Sequence, residues 1–164
     1  MARSKIKHFK GFSIVDGDIR VTLNMNRFER QFQRAQYQLD GDVMNSMVPF
    51  MPMVTGSFIN ATRAASAAVQ GSGEVYAAYG PQGRFLYEGK TMVDEKTGST
   101  WARRGAKKVL VSEFGGKTNA KPELSYTRQA HPKAQSHWFD AAKKADEKKW
   151  IRDVKRTAGG GQRG

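Results

Sequence analysis

The side chains that could carry chemistry are few, and their spacing matches no catalytic or metal-binding pattern. His131 and His137 are six residues apart, whereas two metal ligands on one helix face need a spacing of three or four. Asp16 and Asp18 flank a glycine, which favours a turn over an acid–base pair. The chain has no cysteine, which excludes disulfides, zinc–thiolate sites and cysteine nucleophiles. We therefore expect no metal site, no cofactor and no enzyme activity.

Positive charge is the chemical property that the chain has in excess. Lys and Arg number 28 against 15 Asp and Glu, for a formal net charge of +13. Such an excess predicts attraction to a polyanion, whether nucleic acid, an acidic protein surface or anionic lipid. The candidate polyanion contacts fall in one C-terminal stretch: Lys143, Lys144, Lys148, Lys149, Arg152, Lys155 and Arg156. The alternative is a solvated helix face, in which lysines suit the C-terminal end of the helix dipole.

Length and hydropathy predict one domain that does not enter a membrane. A chain of 164 residues is typical of one domain with short tails. We expect a basic N-terminal arm at 1–11, a single domain at 12–156 and a disordered tail at 157–164. No apolar run approaches the roughly 20 residues of a membrane-spanning helix, and no apolar region follows the basic N-terminus as in a signal peptide. A membrane partner is therefore not expected.

Hydrophobic periodicity predicts a strand and then a long helix in the first third of the chain. Residues 19–25 alternate apolar and polar side chains, which indicates a half-buried strand. From Arg27 to Met47 the apolar residues recur at steps of three and four, which indicates a helix. Gly41 weakens this helix, and we expect a kink or an end there.

The rest of the chain reads as short strands, long loops and a C-terminal helix. Strand-like segments lie at 74–80, 84–89 and 107–114, with a further short strand at 124–127 and loops at 90–106 and 115–124. A helix is predicted from His131 and Pro132 onward. The fold class is therefore α+β: a small antiparallel sheet flanked by a long N-terminal helix and a C-terminal helix, with long inter-strand loops.

The segment VPFMPMVTGSFINAT at 48–62 predicts a tight connection after the first helix. Pro49 must lie at or beyond the end of that helix, because the residue before a proline disfavours the α conformation. Pro52 keeps the chain extended. Gly56 allows a turn with positive φ, and Thr55 or Ser57 can cap the segment that follows. The predicted turn motif is Pro49, Pro52, Thr55 and Gly56.

One loop carries the residues best suited to contact another protein. Trp101 lies in the polar loop at 90–106, where a core position is disfavoured, and Arg103 and Arg104 follow it closely. Tryptophan offers a large contact area, and arginine offers planar, bidentate hydrogen bonds. We predict these three residues, with the aromatic side chains of Phe85 and Tyr87, as a candidate subunit interface.

Four segments, in their order and spacing, resemble a family of siphophage neck proteins, which are minor capsid or head–tail joining proteins. The likeness is to members from phages of Gram-positive bacteria in particular. One departure is Val54, where the family often has an acidic residue before the Thr-Gly pair. The segments cover most of residues 27–155 and lie at 48–62, 75–94, 98–111 and 131–150.

The resemblance implies a structural virion protein at the head–tail junction, assembled in the host cytoplasm. It implies a homo-oligomeric ring, six-fold to match a tail, that joins the portal or stopper complex to the tail. The neighbours would be stopper or adaptor proteins on one side and the tail terminator or tail tube on the other. A non-specific contact with packaged DNA is a further expectation. The competing hypothesis is a free-standing basic nucleic-acid-binding protein, which the charge supports without any recognised binding motif.

Overall fold

The structure, a computed structural model, describes residues 12–16, 19–101 and 103–159. The predicted basic arm at 1–11 and residues 160–164 of the predicted tail lie outside this range. The fold is α+β, as predicted, with small antiparallel sheets, a long helix near the N-terminus and a C-terminal helix. The elements are β1 (Phe12–Asp16), β2 (Ile19–Leu23), α1 (Asn26–Met47), α2 (Ser57–Ala68), α3 (Gly83–Glu88), β3 (Met92–Asp94), β4 (Lys108–Leu110) and α4 (Trp138–Ala158).

The described chain divides into two compact units. The first contains the chain up to Ser46, then Arg63–Tyr76, and the chain from Ala142 onward. The second contains Met47–Thr62 and Ala77–Ala141. The final helix α4 continues to Ala158, two residues beyond the predicted end of the domain. The prediction of a single folded domain stays a prediction.

In the first unit, β1 and β2 pair as an antiparallel hairpin whose register places Phe12 opposite Leu23. The strand predicted at 19–25 is thus confirmed as β2. Helix α1 follows at once, and its first residue donates its backbone N–H to the side-chain oxygen of Asn24 at 2.9 Å. This side chain satisfies one of the donors that a helix N-terminus leaves without an intrahelical partner.

Helix α1 runs through Gly41 without ending there, so the expected end at this glycine is wrong. The structure gives the glycine a packing role instead. A Cβ atom at Gly41 would lie 2.7 Å from the side-chain nitrogen of Gln70. That nitrogen donates a hydrogen bond of 2.8 Å to the backbone oxygen of Tyr37. Glycine therefore lets a side chain from the segment after α2 approach the backbone of α1.

A buried carboxylate anchors the same segment to α1. Asp40 is 4% exposed, and its Oδ2 accepts hydrogen bonds from the backbone N–H groups of Gly71 at 2.7 Å and Gly73 at 3.1 Å. Its Oδ1 accepts a third bond from the Gln36 side chain at 2.7 Å. A buried carboxylate is tolerated when its oxygens are paired in this way.

Helices α1 and α4 are joined in the first unit by side-chain hydrogen bonds. The indole nitrogen of Trp150 donates to the hydroxyl of Ser46 at 3.1 Å, and the hydroxyl of Thr157 donates to the side-chain oxygen of Gln38 at 2.8 Å. Trp150 is 6% exposed and forms part of the unit's apolar core. Helix α4 therefore buries Trp150 on the side that faces the core of this unit.

In the second unit, Trp138 is the centre of the core and has no exposed surface. Its ring packs edge-on against Tyr87, with centroids 4.9 Å apart, and against Phe58, with centroids 5.9 Å apart. Met51 and Val93 are also fully buried in this unit. Aromatic pairs in such edge-to-face geometry add to the stabilisation that comes from their burial.

The connection at 48–57 has the predicted turn geometry. Helix α1 ends at Met47, and Pro49 falls in a single 3-10 turn at Val48–Phe50. Gly56 adopts a φ of +79°, which confirms the predicted positive φ. The hydroxyl of Thr55 accepts a hydrogen bond from the backbone N–H of Ser57, the first residue of α2, at 3.4 Å.

The predicted strands of the middle region are largely wrong. Residues 74–80 form irregular backbone, and residues 84–89 belong to the short helix α3 and the glycine that ends it. Gly89 has a φ of +72°, and its N–H and that of Lys90 bond to the carbonyls of Leu86 and Phe85. This left-handed C-terminal cap stabilises one helical turn in a segment whose aromatic residues favour a strand.

The second sheet is shorter than expected and has a strand inside a predicted loop. Of residues 107–114 only β4 is a strand, and a 3-10 turn follows it at Val111–Glu113. Its partner β3 lies within the predicted loop at 90–106. The strand predicted at 124–127 is absent, and the neighbouring residue Glu123 instead forms an isolated bridge with Lys90.

The C-terminal helix begins at Trp138, seven residues later than predicted from His131. The intervening residues pack against the connection after α1. A ring nitrogen of His131 is hydrogen-bonded to the backbone oxygen of Met51 at 2.8 Å, and the N–H of Gln135 donates to the oxygen of Phe50 at 3.0 Å. These contacts hold the chain in a non-helical path up to Trp138.

Candidate functional site

The β3–β4 loop, residues 95–107, is largely exposed and lies in the second unit. Its base is fixed by Asp94, whose Oδ1 accepts hydrogen bonds from the backbone N–H groups of Lys96 at 2.8 Å and Thr97 at 3.0 Å. The N–H of Gly98 donates to the Asp94 backbone oxygen at 2.9 Å. The two N–H groups, and the nearby positive charge of Arg103, hold the pKa of the Asp94 carboxyl below its ordinary value.

The far side of the loop base is closed by a neighbouring segment. The hydroxyl of Thr118 donates to the backbone oxygen of Gly98 at 2.6 Å. Gly98 has a φ of +67°, and a Cβ atom there would lie 2.6 Å from the ring of Phe114. Only glycine satisfies both the backbone conformation and this close approach. The loop therefore projects from a well-ordered turn.

Trp101 projects from this base into solvent. Its side chain is 88% exposed, the largest exposed fraction among the large apolar residues in the described part of the chain. Its backbone N–H donates to the hydroxyl of Ser99 at 3.1 Å, which fixes the backbone while leaving the indole free of the core. The predicted location outside the core agrees with this exposure. An indole that is presented so openly is suited to burial against a partner.

Basic residues lie on both sides of Trp101 along the loop. Arg103 and Arg104 are exposed, and they line a concavity of about 390 Å³ together with Lys96 and Lys107. Lys107 pairs with Glu95 at 3.3 Å. The remaining cations of the loop have no carboxylate oxygen within 4.0 Å among the described residues. The loop therefore presents one indole with an excess of positive charge.

An open apolar groove of about 570 Å³ lies beside the start of the loop. Its lining includes the apolar side chains of Phe85, Leu86 and Met92 and the basic residues Lys90 and Lys108. The Lys108 ammonium donates to the backbone oxygen of Thr100, another lining residue, at 3.0 Å. The predicted interface residue Phe85 thus lies in a concave surface of the same unit as Trp101.

Tyr87, a residue of the predicted interface, contacts two aromatic neighbours. Its ring packs against Trp138 at 4.9 Å and tilts against His137 at 5.1 Å. Burial, and the nearby charge of Asp140, raise the pKa of its phenol. Tyr87 is half-buried, as Phe85 is, whereas Trp101, Arg103 and Arg104 are exposed, and the candidate subunit interface stays a prediction.

The predicted polyanion contacts all lie on α4, and every one of them is exposed: Lys143, Lys144, Lys148, Lys149, Arg152, Lys155 and Arg156. The turn residues Pro49, Pro52, Thr55 and Gly56 have a structural role in the connection before α2.

Asp94, Gly98 and Lys108 are site residues that sequence reasoning missed. The sequence Asp94-Glu-Lys-Thr-Gly98 does contain a turn signal, because aspartate bonds readily to backbone N–H groups two and three residues on.

Neither a metal-binding cluster nor a membrane-spanning helix occurs among the described residues. No group of three or more His, Asp or Glu side chains among them could hold a metal ion. None of the helices in that part of the chain combines the length and the apolar character that crossing a membrane requires. Comparison of the chain with protein-family models, with curated proteins and with solved structures found no match.

Proposed function

We propose that this chain is a structural virion protein of a tailed phage, a ring-forming subunit of the head–tail connector. Trp101 carries the proposal: its indole is 88% exposed on a loop with a fixed base, and Arg103 and Arg104 follow it closely in the sequence. Exposure of a large apolar side chain has a cost in water that contact with a partner relieves. The sequence resemblance to neck proteins supplies the setting in which such a contact would be made.

The surface around the loop supports a contact in which one patch of a subunit meets a different patch of the neighbouring subunit. The exposed Trp101 and the groove lined by Phe85 are a projection and a concavity on one unit. Within the described chain β4 pairs only with β3, which makes it an edge strand of this two-stranded sheet. A projection and a concavity on different patches suit heterologous contacts, which close into rings when their rotation permits.

The composition of the virion tests this proposal. In purified phage that encodes the chain, we expect the protein in a small copy number that fits a single ring, six-fold to match the tail. Labelled antibody should mark the junction between head and tail in electron micrographs. Absence of the protein from virions, or a copy number like that of the capsid lattice, would overturn the proposal. Absence combined with abundant binding to cellular nucleic acid would favour the nucleic-acid-binding alternative.

A further inference from the structure

The seven basic residues of α4 separate into two groups by their ion pairs. Lys143 pairs with Glu147 at 3.9 Å. Arg152 and Arg156 share the carboxylate of Asp153, at 3.4 and 3.5 Å. Within the described part of the chain, the other four have no carboxylate oxygen within 4.0 Å: Lys144, Lys148, Lys149 and Lys155.

Three of these unpaired lysines lie on one line along the helix. At 3.6 residues per turn, one face of the helix contains Lys144 at position i, Lys148 at i+4, Arg152 at i+8 and Lys155 at i+11. The line is about 16 Å long at ~1.5 Å per residue. The buried residues Ala142, Trp150 and Asp153 lie on the opposite side of the helix. We name Lys144, Lys148, Arg152 and Lys155 the α4 stripe.

The spacing of like charges within the α4 stripe lowers the stability of the helix. Lys148 has Lys144 four residues before it and Arg152 four residues after it. Like charges at this spacing destabilise a helix by about 0.2–0.5 kcal/mol per pair. A face that only needed solvation could alternate acidic and basic residues along this line. The unpaired positive charge therefore indicates a binding surface. Its ligand must carry negative charge along its length.

We propose that the α4 stripe binds the phosphate backbone of double-stranded DNA without reading its sequence. A duplex carries one negative charge per ~1.7 Å of its axis, so a 16 Å line of cations passes roughly ten phosphates. Lysine suits this contact because it acts as a point charge that needs no fixed geometry. This inference goes beyond the proposed joining role and stands independently of it.

A lipid surface fits α4 less well than DNA does. A helix that lies on a membrane buries an apolar face next to its cations. The large apolar side chains Trp138 and Trp150 of α4 are buried in the protein, and beside the α4 stripe the large exposed apolar side chain is Ile151, at 48%. The helix thus offers anionic lipid its charge but little of the apolar area that would hold it there.

The test compares two variants of equal net charge. Lys144→Gln/Lys148→Gln/Lys155→Gln removes the unpaired lysines of the α4 stripe. The control, Lys117→Gln/Lys121→Gln/Lys133→Gln, removes three exposed lysines that lie outside α4. Binding of the full chain to a 30-base-pair duplex is measured by fluorescence anisotropy across a series of salt concentrations. Each phosphate contact contributes about 0.9 to the slope of log K against log salt concentration.

We expect the α4 stripe variant to reduce the magnitude of that slope by about 2–3, as three lost contacts require, and to weaken binding at least tenfold near 0.1 M salt. The control should keep the wild-type slope within about 1. The charge-preserving variant Lys144→Arg/Lys148→Arg/Lys155→Arg should bind like wild type, which separates the charge from any fault in folding.

Equal losses of binding in the stripe variant and the control would overturn the proposal, since only net charge would then matter. An unchanged slope in the stripe variant, or tighter binding to polyglutamate or to phosphatidylserine vesicles than to DNA, would also overturn it.

Discussion

The indole nitrogen of Trp138 donates a hydrogen bond of 2.7 Å to the backbone oxygen of Ala77. Trp138 is the first residue of α4, and Ala77 lies in the irregular segment before α3. The same indole ring packs edge-on against Tyr87 and Phe58. One side chain thus ties three segments of the second unit together, through polar and apolar contacts at once.

Replacing Trp138 tests this core contact. Trp138→Phe keeps an aromatic ring but leaves the Ala77 carbonyl without its donor, which should lower the free energy of unfolding by about 1–3 kcal/mol. The matched control is Trp101→Phe, which should stay within about 0.5 kcal/mol of wild type because that side chain is exposed. Urea unfolding of the purified proteins measures both. Equal stabilities for the two variants would show that Trp138 is not the anchor of this core.

Gly56 should resist substitution because of its backbone conformation. A Cβ atom there would meet no atom closer than 3.5 Å, so the positive φ of +79° is the obstacle. Gly56→Val should lower the free energy of unfolding by about 1–2 kcal/mol, the penalty for a left-handed L-residue. Gly115→Val serves as the control, since Gly115 has open space around its Cβ position. If the melting temperature of the Gly56 variant equals that of the control, the turn does not depend on glycine.

Asp94 should make stability depend on pH in the acidic range. Its folded pKa is held below its ordinary value by the backbone N–H groups of Lys96 and Thr97, so the folded state binds fewer protons than the unfolded state. The stabilisation is therefore fully present above about pH 4, the ordinary aspartate value, and is lost as the pH falls through the lower folded pKa.

Asp94→Asn removes that titration. The variant should be less stable than wild type at pH 7, and the difference between them should shrink as the pH falls toward 2. Urea unfolding at a series of pH values gives both curves. A constant difference between the two proteins over this range would contradict the assigned role of the Asp94 carboxylate.

The long elements could be predicted because their periodicity is sustained. Helix α1 repeats its apolar spacing over several turns, and β2 alternates along its whole length. The short elements could not be predicted in the same way. Helix α3 has six residues with aromatic side chains that favour strands, and its cap at Gly89 decides its conformation. Strand β3 has three residues, and its pairing with β4 joins segments that are distant in sequence.

The residues of the candidate site likewise differ in how well the sequence could predict their positions. An exposed position for Trp101 could be predicted because its neighbours are polar and carry turn signals. The packing of Tyr87 on Trp138 could not be predicted, because its sequence neighbours resemble those of Phe85. Only the tertiary packing around Trp138 distinguishes the two. The pairing of Arg152 and Arg156 with Asp153 likewise depends on side-chain geometry within α4 that composition does not reveal.

Trp101→Ala in the phage that encodes this chain is the most direct test of the joining role. The purified subunit should melt within a few degrees of wild type, since the indole is 88% exposed and truncation leaves no cavity. Lysates of the mutant phage, viewed by electron microscopy, should contain separate filled heads and free tails, whereas Trp101→Phe should restore a substantial share of joined particles. Joined particles at the wild-type frequency from a stable Trp101→Ala protein would contradict the account.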